Sequence, residues 1–269
     1  MNKLIVIGGG YMGMAITNQV INQGVFTKSK TIIIERNGTK RTALKKKGWI
    51  TQAAINENDF KQTKIILLAV KPQDVKPVYH SLTENIKSTT LIISIMAGIP
   101  LNKLINNLNH DRVVRAMPNL AATEGLSVTA WLPNNKLSRA DLSLTGKFIS
   151  SFGSSLQVPD DDAIDKVTVL TGSGPGYVYA FMDDLIKAAK SLGFTEQSAT
   201  TLAQEMLIGA VAYLQSSNET PETLVKRVSS KKGITEQAVK VLRAKKTQKI
   251  WEQALKAAYK RAKQLSKSI

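Results

Sequence analysis

The 269-residue sequence contains no cysteine and only two histidines, His80 and His110. Disulfides, thiolate nucleophiles and cysteine-held metals are therefore excluded, and two imidazoles are too few for a rich metal cage, so no metal is expected. Long hydrophobic runs are also missing. No unbroken apolar stretch exceeds six residues, the length of 65–70, against ~20 for a helix that crosses a bilayer, so no membrane partner is expected. Lys3 followed by an apolar stretch over residues 4–16 looks superficially like a secretory signal. Gly8, Gly9 and Gly10 interrupt it and no cleavage-like site follows, which leaves a cytoplasmic location as the default. With 43% apolar and 21% charged residues the chain is too hydrophobic to be largely disordered, and its length suits one large or two modest domains.

Acidic residues are scarce at the C-terminus. Of the formal net charge of +17, residues 226–269 carry +12, from 14 basic residues against Glu236 and Glu252. Such a segment suggests nucleic acid, but only Trp251 and Tyr259 are aromatic there, and no zinc-finger, helix-turn-helix or base-stacking pattern is present. Trp251, Leu255, Ala258, Ala262 and Leu265 recur at helical spacing, so an amphipathic helix with a solvated basic face is the expectation. The same charge would also attract small anions such as a phosphorylated cofactor.

Short runs rich in Ile, Leu and Val occur at residues 4–7, 31–34, 65–69, 91–95, 113–116 and 126–129. Unbroken rather than alternating apolar runs are what strands buried on both faces require, and this predicts a parallel sheet. Residues 11–23 and 41–47 are long enough for crossover helices. Beyond about residue 160 the β-branched runs stop and helical periodicity takes over. Ala199, Leu202, Ala203, Met206, Leu207, Ala210, Val211 and Leu214 predict one buried helical stripe, with Thr195 as its cap and Thr220-Pro221 opening the next helix.

Gly8, Gly10 and Gly13 form G-x-G-x-x-G directly after the first strand, and a second strand follows at the spacing of a βαβ unit. The first glycine permits a tight turn and the second lets the backbone approach a pyrophosphate. The third allows close helix–strand packing with the helix N-terminus facing the anion. The fold expected is α/β: an N-terminal Rossmann-like doubly wound sheet over residues 1–158, then an all-helical domain over residues 159–269. Glu35, at the end of the second strand, is placed to accept the ribose hydroxyls of NAD, whereas Arg36, Lys40 and Arg41 suit the extra phosphate of NADP. One acid against three bases favours NADPH, with NADH as the alternative. The ends of the third and fourth strands, Ala69 to Pro72 and Ser94 to Gly98, should face the nicotinamide half, although Pro72 alternatively starts a helix and Lys71 is alternatively solvated.

A second glycine motif, Gly172-Ser173-Gly174-Pro175-Gly176, precedes an apolar helical stretch that includes Tyr177, Val178, Phe181, Leu185 and Ile186. Together with Val-Thr-Val-Leu-Thr-Gly-Ser-Gly-Pro-Gly-Tyr at 167–177, Arg-Ala-Met-Pro-Asn at 115–119 and Ala-Val-Lys-Pro at 69–72, the N-terminal glycine loop gives a chain that resembles pyrroline-5-carboxylate reductase over nearly its whole length. The resemblance implies reduction of a cyclic imine to L-proline with NAD(P)H. It also implies that the helical domain forms an intertwined homodimer, often assembled further into a ring of dimers. On the cofactor side it assigns Gly8, Gly10, Tyr11, Met12, Gly13, Arg36, Asn56, Ala69, Val70, Lys71, Pro72, Met96 and Ala97. On the substrate side it assigns Asp161 and the loop Ser230, Gly233, Ile234 and Thr235.

The loop departs from the Ser-Pro-Gly-Gly-Thr-Thr-like pattern of the family. Lys231 and Lys232 replace proline and the first glycine, and Ile234 replaces the first threonine. The family holds the substrate carboxylate on consecutive backbone N–H groups there and presents a threonine hydroxyl to the ring nitrogen. Gly233 and Thr235 remain, while the two lysines either add charge beside an anion site or form a plain surface pair. Hydroxyacid dehydrogenases of related architecture place a catalytic lysine four residues after the second glycine of their G-x-G motif, where this chain has Val178. A protonated imine needs no such acid, only orientation and a hydrogen bond. Thr235 is the candidate catalytic group, with Ser173 second to it and alternatively a helix cap. A reductase of another cyclic imine or of a hydroxyacid is the competing enzyme reading. A Rossmann-like binding protein without catalysis is the competing reading of another class.

Overall fold

In the computed structural model, residues 3–268 are described, with side chains to residue 266. Contacts divide the chain into two compact units, residues 1–173 with 259–269, and residues 174–258.

In the first unit the apolar runs become strands. β1 (Lys3–Ile7), α1 (Tyr11–Asn22), β2 (Thr31–Ile34), α2 (Gly38–Lys46) and β3 (Ile50–Gln52) make one half of a doubly wound sheet. β4 (Thr63–Leu68), α3 (Lys76–Thr83), β5 (Leu91–Ser94), α4 (Leu101–Leu108) and β6 (Val113–Met117) make the other, extended by β7 (Ser127–Pro133), α5 (Arg139–Ser150) and β8 (Gly153–Gln157). The strand order is β3-β2-β1-β4-β5-β6-β7-β8, so the direction of winding reverses between β1 and β4. Successive residues of β1 feed opposite faces: Leu4 and Val6 pack with Ile16, Val20 and Phe148, whereas Ile5 and Ile7 pack with Leu82, Leu104 and Leu108. Burying each such side chain contributes about 1.5–3 kcal/mol, and burial on both faces explains the unbroken apolar runs.

The sheet is not wholly parallel. β7 runs antiparallel to β6, with Ala116 opposite Trp131, because the 3₁₀ turn Leu120–Glu124 reverses the chain without a crossover helix. That strand starts at Ser127 rather than at 126, and Leu126 is left 73% exposed. His110 is buried with Nε2 2.7 Å from the Thr90 carbonyl, while His80 is exposed beside Glu84.

The change to helices after β8 is a change of secondary structure, not of packing, which is why the compact unit runs past 158/159. α6 (Asp161–Val167) and the π-turn Thr168–Gly172 stay with the sheet. Arg115, on β6 and almost fully buried, ties them down by donating to Asp161 at 2.5 Å and Asp165 at 3.0 Å. Asp161 also accepts the backbone N–H of Leu101 at the start of α4.

In the second unit, α7 (Gly174–Ser191), α8 (Glu196–Ser217), α9 (Pro221–Val228) and α10 (Ile234–Ala244) are followed by α11 (Thr247–Ser268), whose last residues, from Tyr259, belong to the first unit. Thr195 caps α8 by accepting from the Ser198 N–H, and Thr220 caps α9 in the same way through Thr223. The stripe on α8 is not buried. Ala199 and Ala203 are, but Leu202, Met206 and Val211 remain about half exposed, because α8 has too few neighbours within the chain to cover a full stripe. In α11 the helix expected from the spacing is present, and its Trp251 meets the Tyr177 ring edge-on at 6.0 Å.

Tyr259 and Lys263, on the last turns of α11, both reach Asp162 on α6, which Lys166 also holds at 2.8 Å. Hydrogen bonds from Lys166, then Lys263 and Tyr259, hold the Asp162 carboxyl well below the ordinary carboxylate range. A lowered carboxyl pKa stabilises the fold above the unfolded value and loses that contribution as pH falls towards the lowered one. The stability difference between the protein and Asp162→Asn is therefore expected at neutral pH and should shrink as pH drops below about 4, read as urea midpoints across pH. Arg115→Ala removes the cation shared by Asp161 and Asp165 and leaves the buried Asp165 with only Lys263 at 3.5 Å and the Ser266 hydroxyl, which should cost about 3 kcal/mol by the same measurement.

Candidate active site

The glycine loop lies where the winding reverses, at the C-terminal ends of β1 and β4, the position at which open α/β sheets hold ligands. Gly8 has φ +109°, and a Cβ there would lie 2.6 Å from the Ala69 carbonyl oxygen and 3.0 Å from the Val70 nitrogen. A Cβ on Gly13 would lie 2.2 Å from the Gly8 carbonyl oxygen. These two glycines are required by the fold itself. Gly10 is different: it sits at the N-cap of α1 with φ −75°, and a Cβ on it would meet nothing within 4 Å. Its small size leaves room for something outside the chain, in front of the N-terminus of a 12-residue helix.

That room opens into a cleft of about 510 Å³. Gly8, Gly10, Arg36, Ala69, Val70 and Lys71 line it, as does Glu35. Tyr11, Met12 and Gly13 follow as the first residues of α1, and Pro72 begins the short 3₁₀ turn Pro72–Asp74 after β4. Asn56 lies next to the lining residue Ile55 with its backbone N–H held by Asp59 at 2.9 Å. Met96 buries its side chain in the core at the end of β5, and Ala97 beside it is exposed.

The charged residues divide into those engaged with the chain and those facing the cleft. Glu35 is buried and accepts the Asn37 backbone N–H at 2.9 Å. Arg41 donates to the carbonyls of Glu35 and Arg36 at 2.9 and 3.2 Å. Arg36 is largely exposed and pairs across the cleft with Asp74 at 2.6 Å. Lys40 lines the cleft, and among the described residues its ammonium joins no ion pair. Of the basic set that favours a phosphate, Arg36 and Lys40 are thus on the wall and Arg41 is committed to backbone carbonyls, while Glu35, the acid that favours ribose hydroxyls, lines the cleft with a carboxylate oxygen engaged by the Asn37 N–H.

The substrate-side residues fall in different units. Asp161 is committed to Arg115 and the Leu101 N–H. Ser173 follows the π-turn, with its backbone N–H on the Thr168 carbonyl at 2.9 Å, and nearby Asn119 donates to the Thr171 carbonyl at 3.0 Å. The Met-Pro-Asn and Thr-Gly-Ser motifs, distant in sequence, therefore meet. In the second unit the Gly233 N–H donates to the Ser230 carbonyl at 2.8 Å, closing a turn that leads into α10 with Ile234 and Thr235 as its first residues. Lys232 occupies the left-handed region at φ +61°, a conformation that glycine adopts freely, and its N–H donates to Glu236. Sequence reasoning missed Asp74, Asp165 and the buried role of Arg115. Only Arg115 left a signal, as a charge inside an apolar strand.

The comparisons with known proteins fit this geometry. Residues 161–265 match the family model described as pyrroline-5-carboxylate reductase dimerisation, and residues 3–98 match that of NADP oxidoreductase, coenzyme F420-dependent. The pyrroline-5-carboxylate reductase of Pseudomonas aeruginosa is 31% identical over 99% of this chain and 98% of its own. The chain belongs to the pyrroline-5-carboxylate reductase family. A family relative from Methanosarcina acetivorans is 31% identical over 98% of both chains. The structure of the family member from Coxiella burnetii superposes with a TM-score of 0.90 at 29% identity, covering 98% of each chain. That of the Plasmodium falciparum enzyme, solved with NADP bound, has the same fold, with a TM-score of 0.85 at 24% identity and the same coverage.

The two kinds of glycine separate in experiment. Gly8→Ala should lower the unfolding free energy by about 2 kcal/mol or more through backbone strain and overlap. Gly10→Ala should stay within about 1 kcal/mol of the parent in the same urea titration.

Proposed function

We propose that this protein reduces 1-pyrroline-5-carboxylate to L-proline, the last step of proline synthesis, with NADPH as the preferred reductant. The observation that carries the reading is the empty approach to Gly10 at the sheet's reversal point, walled by Arg36, Lys40 and Lys71. Family membership supplies the substrate. When bound, the dinucleotide supplies a hydride to the imine carbon.

The chain's own residues bind and orient. The amides at the start of α1 face the pyrophosphate, Arg36 and Lys40 favour a phosphorylated ribose, and Ala69 to Pro72 with Met96 and Ala97 form the strand ends towards the nicotinamide. Asn56 borders the adenine side. In the helical unit, Ser230, Gly233 and Ile234 shape the turn into α10, whose first N–H groups lack intrahelical partners and take the substrate carboxylate. Thr235 presents its hydroxyl to the ring nitrogen, and Ser173 is the second hydroxyl candidate. Asp161 acts by holding Arg115 and the start of α4. Val178, half exposed on α7, offers no proton, as suits an imine that arrives protonated and unlike an oxygen-centred substrate.

The functional division is proposed at 158/159, with residues 1–158 binding the dinucleotide and 159–269 binding substrate and dimerising. Val178, Phe181, Leu202, Met206 and Val211 are each about half exposed and Ile208 nearly two-thirds, a surface that a second copy of the helical segment would cover. A homodimer supplies that cover, and the ring of dimers is what the resemblance implies beyond it.

The assay is NADPH oxidation with 1-pyrroline-5-carboxylate. Turnover is expected, with kcat/KM falling about 10–100-fold in Thr235→Ala and NADPH binding weakening at least about tenfold in Gly10→Ala. Absence of turnover at every cofactor concentration overturns the proposal.

A further inference from the structure

Arg36 and Asp74 both line the cleft, from the end of β2 and from the turn after β4. Their 2.6 Å contact joins the two halves of the doubly wound sheet across the mouth of the cleft. Asp74 is about one-third exposed and has no second cation among the described residues, so its charge is answered by Arg36 alone. Of the charged groups on the cleft wall, Arg36, Lys40 and Lys71 are positive and Glu35 and Asp74 negative. Glu35 is already turned to the Asn37 N–H. Asp74 is the carboxylate that lies on the guanidinium suited to a ribose phosphate.

We propose that Asp74 sets cofactor preference by competing with the ribose 2′-phosphate for Arg36. A dianionic phosphate that takes the Arg36 fork displaces or shares it with Asp74, and it then lies close to a carboxylate in a partly solvated cleft. A 2′-hydroxyl meets no such repulsion. Asp74 therefore lowers affinity for the phosphorylated cofactor while leaving the unphosphorylated one nearly untouched, and it narrows a preference that Arg36 and Lys40 would otherwise make strong. The inference rests on the dinucleotide reading above.

The test is calorimetric binding of 2′,5′-ADP and 5′-AMP to the full chain, so that no catalytic step enters the readout. Removing one like charge beside a phosphate at a solvated site is expected to tighten 2′,5′-ADP about tenfold at low salt in Asp74→Asn, with 5′-AMP changing less than about twofold. The gain should shrink as ionic strength rises. Placed on Arg36→Gln, the same change should give much less than its gain in the parent, since the competition has lost its object. Asp74→Ser serves as a second removal of the charge should the asparagine variant fold poorly. Equal shifts for both nucleotides, no shift, or an undiminished gain without Arg36 each overturn the proposal while leaving the dinucleotide reading in place. Failure of the parent protein to bind either nucleotide overturns both.

Discussion

The structure turns on the close approach of bare main chain at the end of β1. Gly8 presses against the Ala69 carbonyl, and Gly13 presses against Gly8. No side chain fits between these three strands of backbone. Because they touch directly, the N-terminus of α1 is drawn to the reversal point of the sheet, and the ends of β2 and β4 form walls on either side. The helix dipole, the unpaired N–H groups and the basic residues of the wall then share one opening. Gly10 adds vacancy to that opening without being needed to build it.

The helical segment shows the opposite economy. The first unit closes on itself, with β-strand side chains buried on both faces, and even its buried charged Arg115 finds two carboxylates, one of them inside with it. The second unit buries Ala199 and Ala203 and leaves larger apolar groups of α7 and α8 in water. Apolar side chains at helical spacing left uncovered among the described residues are what an assembly surface looks like before assembly. The dimerisation model matched over residues 161–265 covers these same helices.

The parts of the fold that were legible in the sequence are those where residue type and position must coincide. The β1-α1-β2 unit was legible from its three glycines, and the central strands from their apolar runs. β3 and β8 were not: Ile50 is 43% exposed, and β8 reads Gly-Ser-Ser-Leu-Gln, so its strand form comes from pairing with β7 rather than from its own composition. The reversal at β7 was hidden because a short turn leaves no periodic signature. The Arg115 network escaped notice because its partners lie about fifty residues away, and no spacing rule connects ions across that interval. The stripe on α8 was read correctly as a helix face and wrongly as a buried one, since periodicity reports which side is apolar and not which molecule covers it.

Arg41 has a quieter effect on the opening than its neighbours. By clasping the carbonyls of Glu35 and Arg36 it freezes the bend after β2 before any visitor arrives. A long basic side chain that must be immobilised at the moment of capture loses about 0.5–1.5 kcal/mol of rotamer freedom, and a mobile bend around it would lose more. Here that ordering accompanies folding. The backbone that carries Arg36 is thus set in place by folding, and only the exposed Arg36 and Lys40 side chains are left to be ordered at the moment of capture.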